Sequence, residues 1–378
     1  MSNRRLASLG VSAAVIALVS LAPAPVAGQT QATKNTANAY KAPRTPEGQP
    51  DLQGIWDNGT STPLERPKKL AGKQALTPEE LEKATISAQR SRENRDRRDQ
   101  QEGSVTDVGR AYNALWFPVP GNPIDRTSLI LDPPDGRVPA LTPAAIKRFH
   151  EYSANLGRFA SAADPAGRGD LEIEDGTEGG VDGRGTRADN PEDRRLSERC
   201  LVFGGVPRLP GGYNNHLRIV QTSGYVVIEL EQIHDARVIP LDGRPHLPAT
   251  VGQWLGDPRG RWEGDTLVVD TTNFNDRNPF RGSFEGLHLV ERFTRTGPDT
   301  ITYSLTVDDP ATFTRPWTAE WPYTRLDALV GGVDQLTKPE MYEYACHEGN
   351  HGLAGQLSGS RAEEKKAVGE RSKTVAEK

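Results

Sequence analysis

The sequence predicts a mainly β protein: an antiparallel β barrel or sandwich with two peripheral N-terminal helices and long loops. Three observations lead to this fold class. After residue 196, short apolar segments alternate with turn residues, which is typical of all-β domains. Residues 301–307 alternate apolar and polar side chains, as a half-buried strand does. The clear helix-start signals, at residues 77–80 and 140–143, both precede the strand series.

Short turns separate the predicted strands. The strands are residues 217–222, 225–233, 236–241, 261–263, 266–270, 287–294, 300–307, 317–325 and 341–345. Ser223-Gly224 and Gly264-Asp265 are two-residue hairpin connections, and Asp257-Pro-Arg-Gly260 has the residue preferences of a type I turn. Connections this short join antiparallel neighbours, so the series indicates an antiparallel barrel or sandwich.

Both helices begin with a capping signal. Thr77-Pro78-Glu79-Glu80 is a capping box with proline at the first helical position, and it predicts a solvated helix to about residue 101. A second helix is predicted from Ala144 to about residue 156. Residues 164–195 are rich in Gly, Asp, Glu and Arg and predict a long loop. The acids there lack the regular spacing of a calcium loop, which favours a solvated linker over a calcium site.

The first residues predict export. Arg4 and Arg5, an apolar run at 11–21 and the small residues 26–28 have the order of a secretory signal peptide. We therefore expect a periplasmic or secreted protein with no membrane span in the mature chain. The predicted organisation is a signal peptide (1–28), an extended leader (29–50), a strand with helices and loops (51–195), an antiparallel β domain (196–356) and a charged tail (357–378).

The chain has two cysteines, Cys200 and Cys346, and an oxidising compartment predicts that they form one disulfide. The net charge is −5 with both signs interspersed, so no nucleic-acid partner is expected. No Gly-rich phosphate loop stands between a strand and a helix, and no nucleophile elbow or C-x-x-C pair occurs. The sequence therefore predicts no cofactor.

Three motifs carry a resemblance. They are Trp262-Glu-Gly-Asp-Thr-Leu-Val-Val-Asp270, Asp308-Asp-Pro-Ala-Thr-Phe-Thr-Arg-Pro-Trp317 and Tyr342-Glu-Tyr-Ala-Cys-His-Glu-Gly-Asn350. With them the chain resembles a family of secreted bacterial proteins to which no activity is attached. More loosely, Gly54-Ile-Trp56 is similar to the Gly-x-Trp that opens the first strand of lipocalin-like barrels. That resemblance implies a barrel with a cavity for one small ligand near its mouth.

Residues 347–351, HEGNH, fit the H-E-x-x-H pattern of zinc proteases, which needs a helix that presents both histidines on one face. Gly349 and Asn350 favour turns and helix ends, and no histidine follows as a third ligand. We expect a turn at a strand end and no metal site, with a zinc metalloprotease as a remote alternative. His347 remains a candidate for lining a pocket.

His234 is the principal catalytic candidate. If the strand at 225–233 continues, Gln232 and His234 extend its apolar face, where a histidine with a nearby carboxylate can act as acid or base. Glu231 and Asp235 are the nominated carboxylates. A structural histidine with satisfied hydrogen bonds fits the pattern as well.

The ligand-binding candidates are polar residues near strand ends: Tyr213, Asn214, His216, Gln232, His288 and His347. His288 and Glu291 lie on opposite faces of one strand, so only one of them joins a given site. Trp262, Trp317 and Trp321 either stack on a ligand or pack the core.

The sequence leads to two functional hypotheses. The first is an exported, cofactor-independent enzyme, a hydrolase, lyase or isomerase that uses acid–base chemistry on a small molecule in the barrel cavity. The alternative is a non-catalytic periplasmic or secreted protein that binds a small ligand there. A carboxylate bonded to His234 at a reachable cavity favours the enzyme, and the absence of any cavity disfavours both.

Overall fold

A single antiparallel sheet curls into a nearly closed barrel. The computed structural model describes residues 40–99, 121–155, 190–194, 196–202, 206–211, 214–329 and 341–376. Within them the strands are β1 (Gly54–Asp57), β2 (Ile130–Asp132), β3 (His216–Gln221), β4 (Tyr225–Leu230), β5 (Ala236–Pro240), β6 (Asp257–Glu263), β7 (Thr266–Thr272), β8 (His288–Gly297), β9 (Thr300–Asp308) and β10 (Trp317–Arg325). Their order is β5-β4-β3-β1-β10-β9-β8-β7-β6, and β2 pairs with β10. The predicted antiparallel, lipocalin-like barrel is confirmed.

The alternation of residue types decides which side chains enter the barrel. In β9, Ile301, Tyr303, Leu305 and Val307 are buried, and the residues between them are partly exposed. β8 pairs with β9 so that Glu291 lies opposite Leu305. Glu291 therefore points into the barrel with the apolar residues, and His288 points out, because the two residues differ in parity along one strand.

Aromatic side chains fill much of the interior. Trp56, Trp317 and Trp321 are fully buried, and the Tyr303 ring lies with its centroid 4.7 Å from that of Trp321 and 4.8 Å from that of Tyr323. Ring pairs at these distances add about 0.5–1.5 kcal/mol each beyond the area they bury. Trp317 and Trp321 therefore belong to the packed core, and Trp262 packs against its edge.

The barrel closes between β5 and β6 without a ladder of hydrogen bonds. These strands are the two ends of the sheet path, yet they are neighbours in space. Each carries a proline, Pro240 or Pro258, which has no N–H to donate and suits an edge strand. Gly260 allows the close approach, because a Cβ there would lie 2.6 Å from a Leu241 methyl group. Residues 241–256 form the crossover that joins β5 to β6.

The described helices are α1 (Pro78–Asp99), α2 (Pro143–Asn155) and α3 (His351–Ala376). The predicted capping box is confirmed at α1: the Glu80 N–H donates to Thr77 Oγ1 at 3.3 Å, and the Thr77 N–H donates to Glu80 Oε2 at 2.8 Å. Asn350 caps α3, since its Oδ1 accepts from the Leu353 N–H at 3.2 Å. No helix in the described part of the chain is both long and apolar enough to cross a membrane.

Three predictions about local structure were wrong. Residues 341–345 are irregular rather than a strand. Asp257–Gly260 begins β6 instead of forming a turn, because Pro258 is tolerated at the barrel seam. β4 ends at Leu230, and a short 3-10 turn at Gln232–His234 leads to β5, with Ile233 and His234 at positive φ. In addition, no sequence pattern indicated β2, which is only 3 residues long.

The predicted disulfide between Cys200 and Cys346 is confirmed, with Cα atoms 5.8 Å apart. It closes a loop of 146 residues and joins the segment before α3 to the segment that precedes β3. In the chain-entropy model a loop of this length stabilises the fold by about 5 kcal/mol. The predicted signal peptide and nearly all of the acidic loop at 164–195 lie outside the described residues.

Candidate functional site

Several acidic and histidine side chains meet on the outside of the barrel, where β6 and β8 begin and β7 ends. We call His246, Asp257, Asp270 and His288 the histidine–aspartate cluster. His246 Nε2 lies 3.0 Å from Asp270 Oδ1, and His246 Nδ1 lies 3.3 Å from Asp257 Oδ2. His288 Nε2 lies 3.2 Å from each oxygen of Asp270. One carboxylate thus holds two imidazoles.

Strand register explains the position of two members. Thr271 and Leu289 pair across β7 and β8 and point inward, so Asp270 and His288, one residue before each, point outward. His288 lies opposite Asp308 on β9, which adds a further acid to this face. The antiparallel pairing therefore brings side chains from three strands to one outer patch.

The crossover supplies the remaining histidine. Asp257, at the start of β6, accepts from the Leu247 N–H at 2.8 Å and from Arg259 Nη1 at 2.6 Å. Arg259 Nε also donates to the Pro245 carbonyl at 3.0 Å. These bonds hold the crossover against β6 and fix the His246 ring between two carboxylates.

The hydrogen bond between His288 and Asp270 shifts the pKa of both side chains. The hydrogen bond to Asp270 raises the pKa of His288, although partial burial opposes the shift. The same bond lowers the pKa of Asp270, with burial again opposing and His246 assisting. The His288 side chain is 38% exposed and that of Asp270 is 28% exposed, so solvent reaches both. The pair is an accessible imidazole oriented by a carboxylate.

A second polar group lies inside the barrel. Arg237 Nη1 donates to Glu291 Oε1 at 3.0 Å, and Arg237 Nη2 bonds to Glu291 Oε2. The Tyr303 hydroxyl donates to Glu291 Oε1 at 2.8 Å, and Arg237 Nη2 donates to Thr271 Oγ1 at 3.3 Å. Burial and the charge of Glu291 raise the pKa of Tyr303 well above its usual value, so its hydroxyl stays protonated. We call Arg237, Glu291 and Tyr303 the interior network.

A small cavity adjoins this network. Its volume is about 10 Å³, roughly the space that one water molecule requires. Nine residues line it: Val206, Arg208, Leu217, Ile228, Leu230, Arg237, Glu291, Phe293 and Tyr323. A drug-sized substrate occupies a space more than ten times larger, on the order of 300 Å³ or above. This cavity therefore has no room for such a molecule.

His234 does not occupy the place predicted for it. It lies in the exposed turn after β4, and its Nε2 accepts a hydrogen bond from the Tyr344 N–H at 2.9 Å. The prediction that Gln232 and His234 continue the inward face of β4 was wrong, because the strand ends at Leu230. His234 instead holds the segment before α3 against the barrel. Asp235, beside it, begins the approach to β5.

Glu231 partners a different histidine from the one predicted. His216 Nδ1 lies 3.2 Å from Glu231 Oε2, and both side chains are almost fully buried. Burial alone would lower the pKa of His216, but the Glu231 carboxylate reverses this and the pKa is raised. Gln232 is 1% exposed, and neither end of its amide has a hydrogen-bond partner among the described residues.

The other ligand-binding candidates are scattered. Asn214 accepts from Arg208 Nη2 through its backbone oxygen at 3.2 Å. Tyr213 lies outside the described residues. His347 is exposed in the turn before α3. Of the five candidates that the structure describes, only His288 belongs to the histidine–aspartate cluster.

HEGNH spans a turn and a helix start. Residues 346–349 form the turn, and α3 begins at His351, so His347 and His351 do not share a helical face. Considering only the residues that the structure describes, no group of three or more His, Cys, Asp or Glu side chains is arranged to hold a metal ion. The expected turn is present, although it precedes a helix instead of ending a strand.

Sequence reasoning missed His246, Asp257 and Asp270. Asp257 was assigned to a turn, and His246 lies in a loop with no periodic pattern. The only usable signal was the proximity of acidic and histidine residues to predicted strand ends, which antiparallel pairing brings together.

A scan of family models finds no match for the chain, and a search of curated proteins finds none either. Among solved structures, a crystal structure of a variant of the fluorescent protein UnaG matches with a TM-score of 0.20 and 13% sequence identity. The match covers 29% of this chain and 70% of that one. A TM-score this low carries no argument about function.

Proposed function

We propose that the protein is an exported enzyme that performs acid–base chemistry on a small molecule at the histidine–aspartate cluster, without a bound cofactor. The observation that carries the proposal is the convergence of two imidazoles on the partly exposed Asp270 carboxylate. Perturbed proton affinities combined with such geometry are typical of catalytic sites.

His288 is the proposed general base or acid. We assign its proton to Nε2, which faces both Asp270 oxygens, so that Nδ1 keeps a free lone pair. Among the described residues, Nδ1 has no hydrogen-bond partner. The hydrogen bond to Asp270 raises the pKa of His288, which makes the ring a stronger base than a free imidazole.

Asp270, His246 and Asp257 are proposed as positioning residues. Asp270 fixes the tautomer and orientation of His288, and it stabilises the imidazolium that forms when His288 takes a proton. His246 holds Asp270 from the other side, and Asp257 holds His246 in turn. Each residue limits the rotation of the next one, which is how a catalytic base is kept in a productive geometry.

The outer position sets how a substrate reaches the site. Because His288 lies on the outer face of the barrel and its side chain is 38% exposed, the substrate approaches it from solvent, beside the crossover and Asp308. Removal of a proton from water leads to hydrolysis, whereas removal from a carbon or hydroxyl group of the substrate leads to elimination or isomerisation. The disulfide supports export, since such bonds persist in oxidising compartments.

The test works for an unidentified substrate. Disulfide-intact protein is incubated with a fractionated bacterial metabolite extract in H₂¹⁸O and, separately, in D₂O, and mass spectrometry identifies the compounds that change. A hydrolase transfers ¹⁸O to product, an isomerase incorporates deuterium, and a lyase changes mass without ¹⁸O. We expect one compound class to be consumed, and His288→Ala to slow this by about 10²–10⁴-fold.

His234→Ala is the matched control, because His234 is an exposed histidine outside the cluster. It should consume the same compound at the wild-type rate. Equal rates for wild type and His288→Ala contradict the proposal. A compound that binds without being converted supports the binding-protein alternative instead.

A further inference from the structure

We infer that the substrate of the histidine–aspartate cluster is a small organic cation, in which a protonated amine is joined to an aromatic or alkyl group. Because this concerns what the same site binds, it rests on the proposed function. Two features beside His288 indicate this class of substrate: the carboxylate of Asp308 and an exposed apolar surface on the crossover. The first recognises the charge of the substrate, and the second recognises its apolar part.

Asp308 places a carboxylate next to the proposed catalytic histidine. It lies directly opposite His288 in the β8–β9 pair, where side chains on one face are close neighbours. Asp308 is partly exposed, and its side chain has no hydrogen-bond partner among the described residues. The hydrogen bond with Asp270 is the largest cause of the raised pKa of His288, and the charge of Asp308 adds to it. Asp308 is therefore close enough to act on a group bound at His288.

The charge around the proposed base is negative. Arg259 donates to Asp257 at 2.6 Å and neutralises it. The described residues offer Asp270 no cationic group other than the two imidazoles, and Asp308 adds a further negative charge. The group therefore keeps a net negative charge even when one imidazole is protonated. A surface of one sign raises the local concentration of ions of the opposite sign, which favours a cationic substrate over an anionic one.

The crossover presents the apolar surface. Leu247, Val251 and Trp254 are 39%, 44% and 38% exposed, and we call them the apolar crossover face. It begins beside the cluster, because the Leu247 N–H and His246 Nδ1 both contact Asp257 Oδ2, at 2.8 and 3.3 Å. Single exposed apolar residues are common, but several in one short segment that borders a polar site are typical of ligand binding.

Asn273 fixes the shape of this segment. Its Nδ2 lies within 3.3 Å of the carbonyl oxygens of Leu247, Pro248 and Val251. The Gln253 N–H donates to the Asn273 carbonyl at 2.8 Å. Asn273 follows Asp270 by three residues, so these bonds hold the apolar crossover face at the end of the strand that carries Asp270. A surface held in this way needs little ordering when a ligand binds.

Four small probes separate the contribution of charge from that of apolar contact. Benzylamine has both features, benzyl alcohol lacks the charge, phenylacetate reverses the charge, and methylamine lacks the ring. Each is titrated at neutral pH into the full, disulfide-intact protein, and binding is followed by NMR, with the indole N–H signal of Trp254 assigned from the Trp254→Ala spectrum. We expect benzylamine to bind most tightly, phenylacetate to bind more weakly than benzyl alcohol, and benzylamine to shift the Trp254 signal.

Two variants test the two features separately. Asp308→Asn should weaken benzylamine binding about three- to fivefold, as expected for an exposed ion pair, and leave benzyl alcohol binding unchanged. Trp254→Ala should weaken the binding of both about five- to tenfold. The matched controls are Asp299→Asn and Tyr342→Ala, which should change neither affinity. Asp299 is an exposed acid in the turn at the opposite end of the β8–β9 pair, and Tyr342 is an exposed aromatic residue outside the crossover.

Equal affinity for benzylamine and phenylacetate overturns the inference, as does a lack of saturable benzylamine binding or binding that both variants leave intact. None of these outcomes bears on proton transfer at His288, which the metabolite experiment tests separately. If His288→Ala converts its substrate at the wild-type rate, the proposed function fails whatever benzylamine does. A substrate whose conversion depends on His288 and which is an anion keeps the proposed function and refutes the cationic class.

Discussion

Replacement of Glu291 by Gln is the sharpest test of how the barrel interior is stabilised. The substitution keeps the shape of the side chain and removes its charge. Arg237, which is 5% exposed, then stays charged in the interior without its carboxylate. Burial lowers the pKa of Arg237, and Glu291 more than offsets this in the native protein, so that the pKa is raised. Without Glu291 the two largest contributions that oppose the effect of burial are lost.

The expected loss follows from the contacts. Glu291 accepts from two Arg237 nitrogens and from the Tyr303 hydroxyl, and all of these groups are buried. Removal of one member of a buried ion pair costs about 3–5 kcal/mol. An apolar replacement of both charges, Arg237→Met with Glu291→Leu, leaves neither member of the pair uncompensated and should cost much less than the sum of the two single changes.

Urea unfolding measures these differences in the free energy of unfolding. Glu229→Gln is the matched control and should cost below about 1 kcal/mol, because the Arg218 and Glu229 side chains are 45% and 31% exposed and solvent screens the pair. The reasoning fails if Glu291→Gln costs no more than Glu229→Gln, or if the double variant loses the full sum of the single losses.

Three further outcomes are expected. The folded pKa of His288 is raised above 6.5 and that of Asp270 is lowered below 3.8. The stability that this pair contributes should therefore be complete between pH 3.8 and pH 6.5. It should fall as the pH rises through the folded pKa of His288, and it should also fall as the pH drops through the folded pKa of Asp270. His288→Asn should remove the alkaline part of this decline in urea midpoints. Gly256→Ala should destabilise more than Gly243→Ala in calorimetry, because both have φ near +70° and only Gly256 has a carbonyl 2.9 Å from the new Cβ. Reduction of the disulfide should cost up to about 5 kcal/mol in urea, and an unchanged midpoint would contradict the chain-entropy estimate.

The sequence was most informative where the conformation depends only on residues that are close together in the chain. The capping box at Thr77 predicted the start of α1, because its two hydrogen bonds are formed by residues three apart. The alternation in residues 301–307 predicted the inward face of β9, because side-chain direction in a strand depends only on parity. The two cysteines predicted their own pairing, since no other partner exists in the chain.

The sequence failed where a local pattern competes with tertiary contacts. The pattern at 225–234 fits one continuous strand, but β4 stops at Leu230, where the backbone turns so that β5 can pair with it. Asp257-Pro-Arg-Gly260 has turn preferences, yet it forms a strand because the barrel seam accepts Pro258 and needs Gly260. In both places the neighbouring strand, which a local pattern does not identify, decides the conformation.

By itself the sequence determined the fold class, the placement of His288 and Glu291 on opposite faces of one strand, and the disulfide, because residue pattern, parity and the number of cysteines can be read without knowledge of the strand order. Only the tertiary structure decided which acids meet which histidines. His246 and Asp270 are 24 residues apart and touch because the crossover folds back over β7. Arg237 and Glu291 are 54 residues apart and touch because the sheet curls. A site made of such pairs depends on strand order and closure, and these are set by packing of the whole barrel.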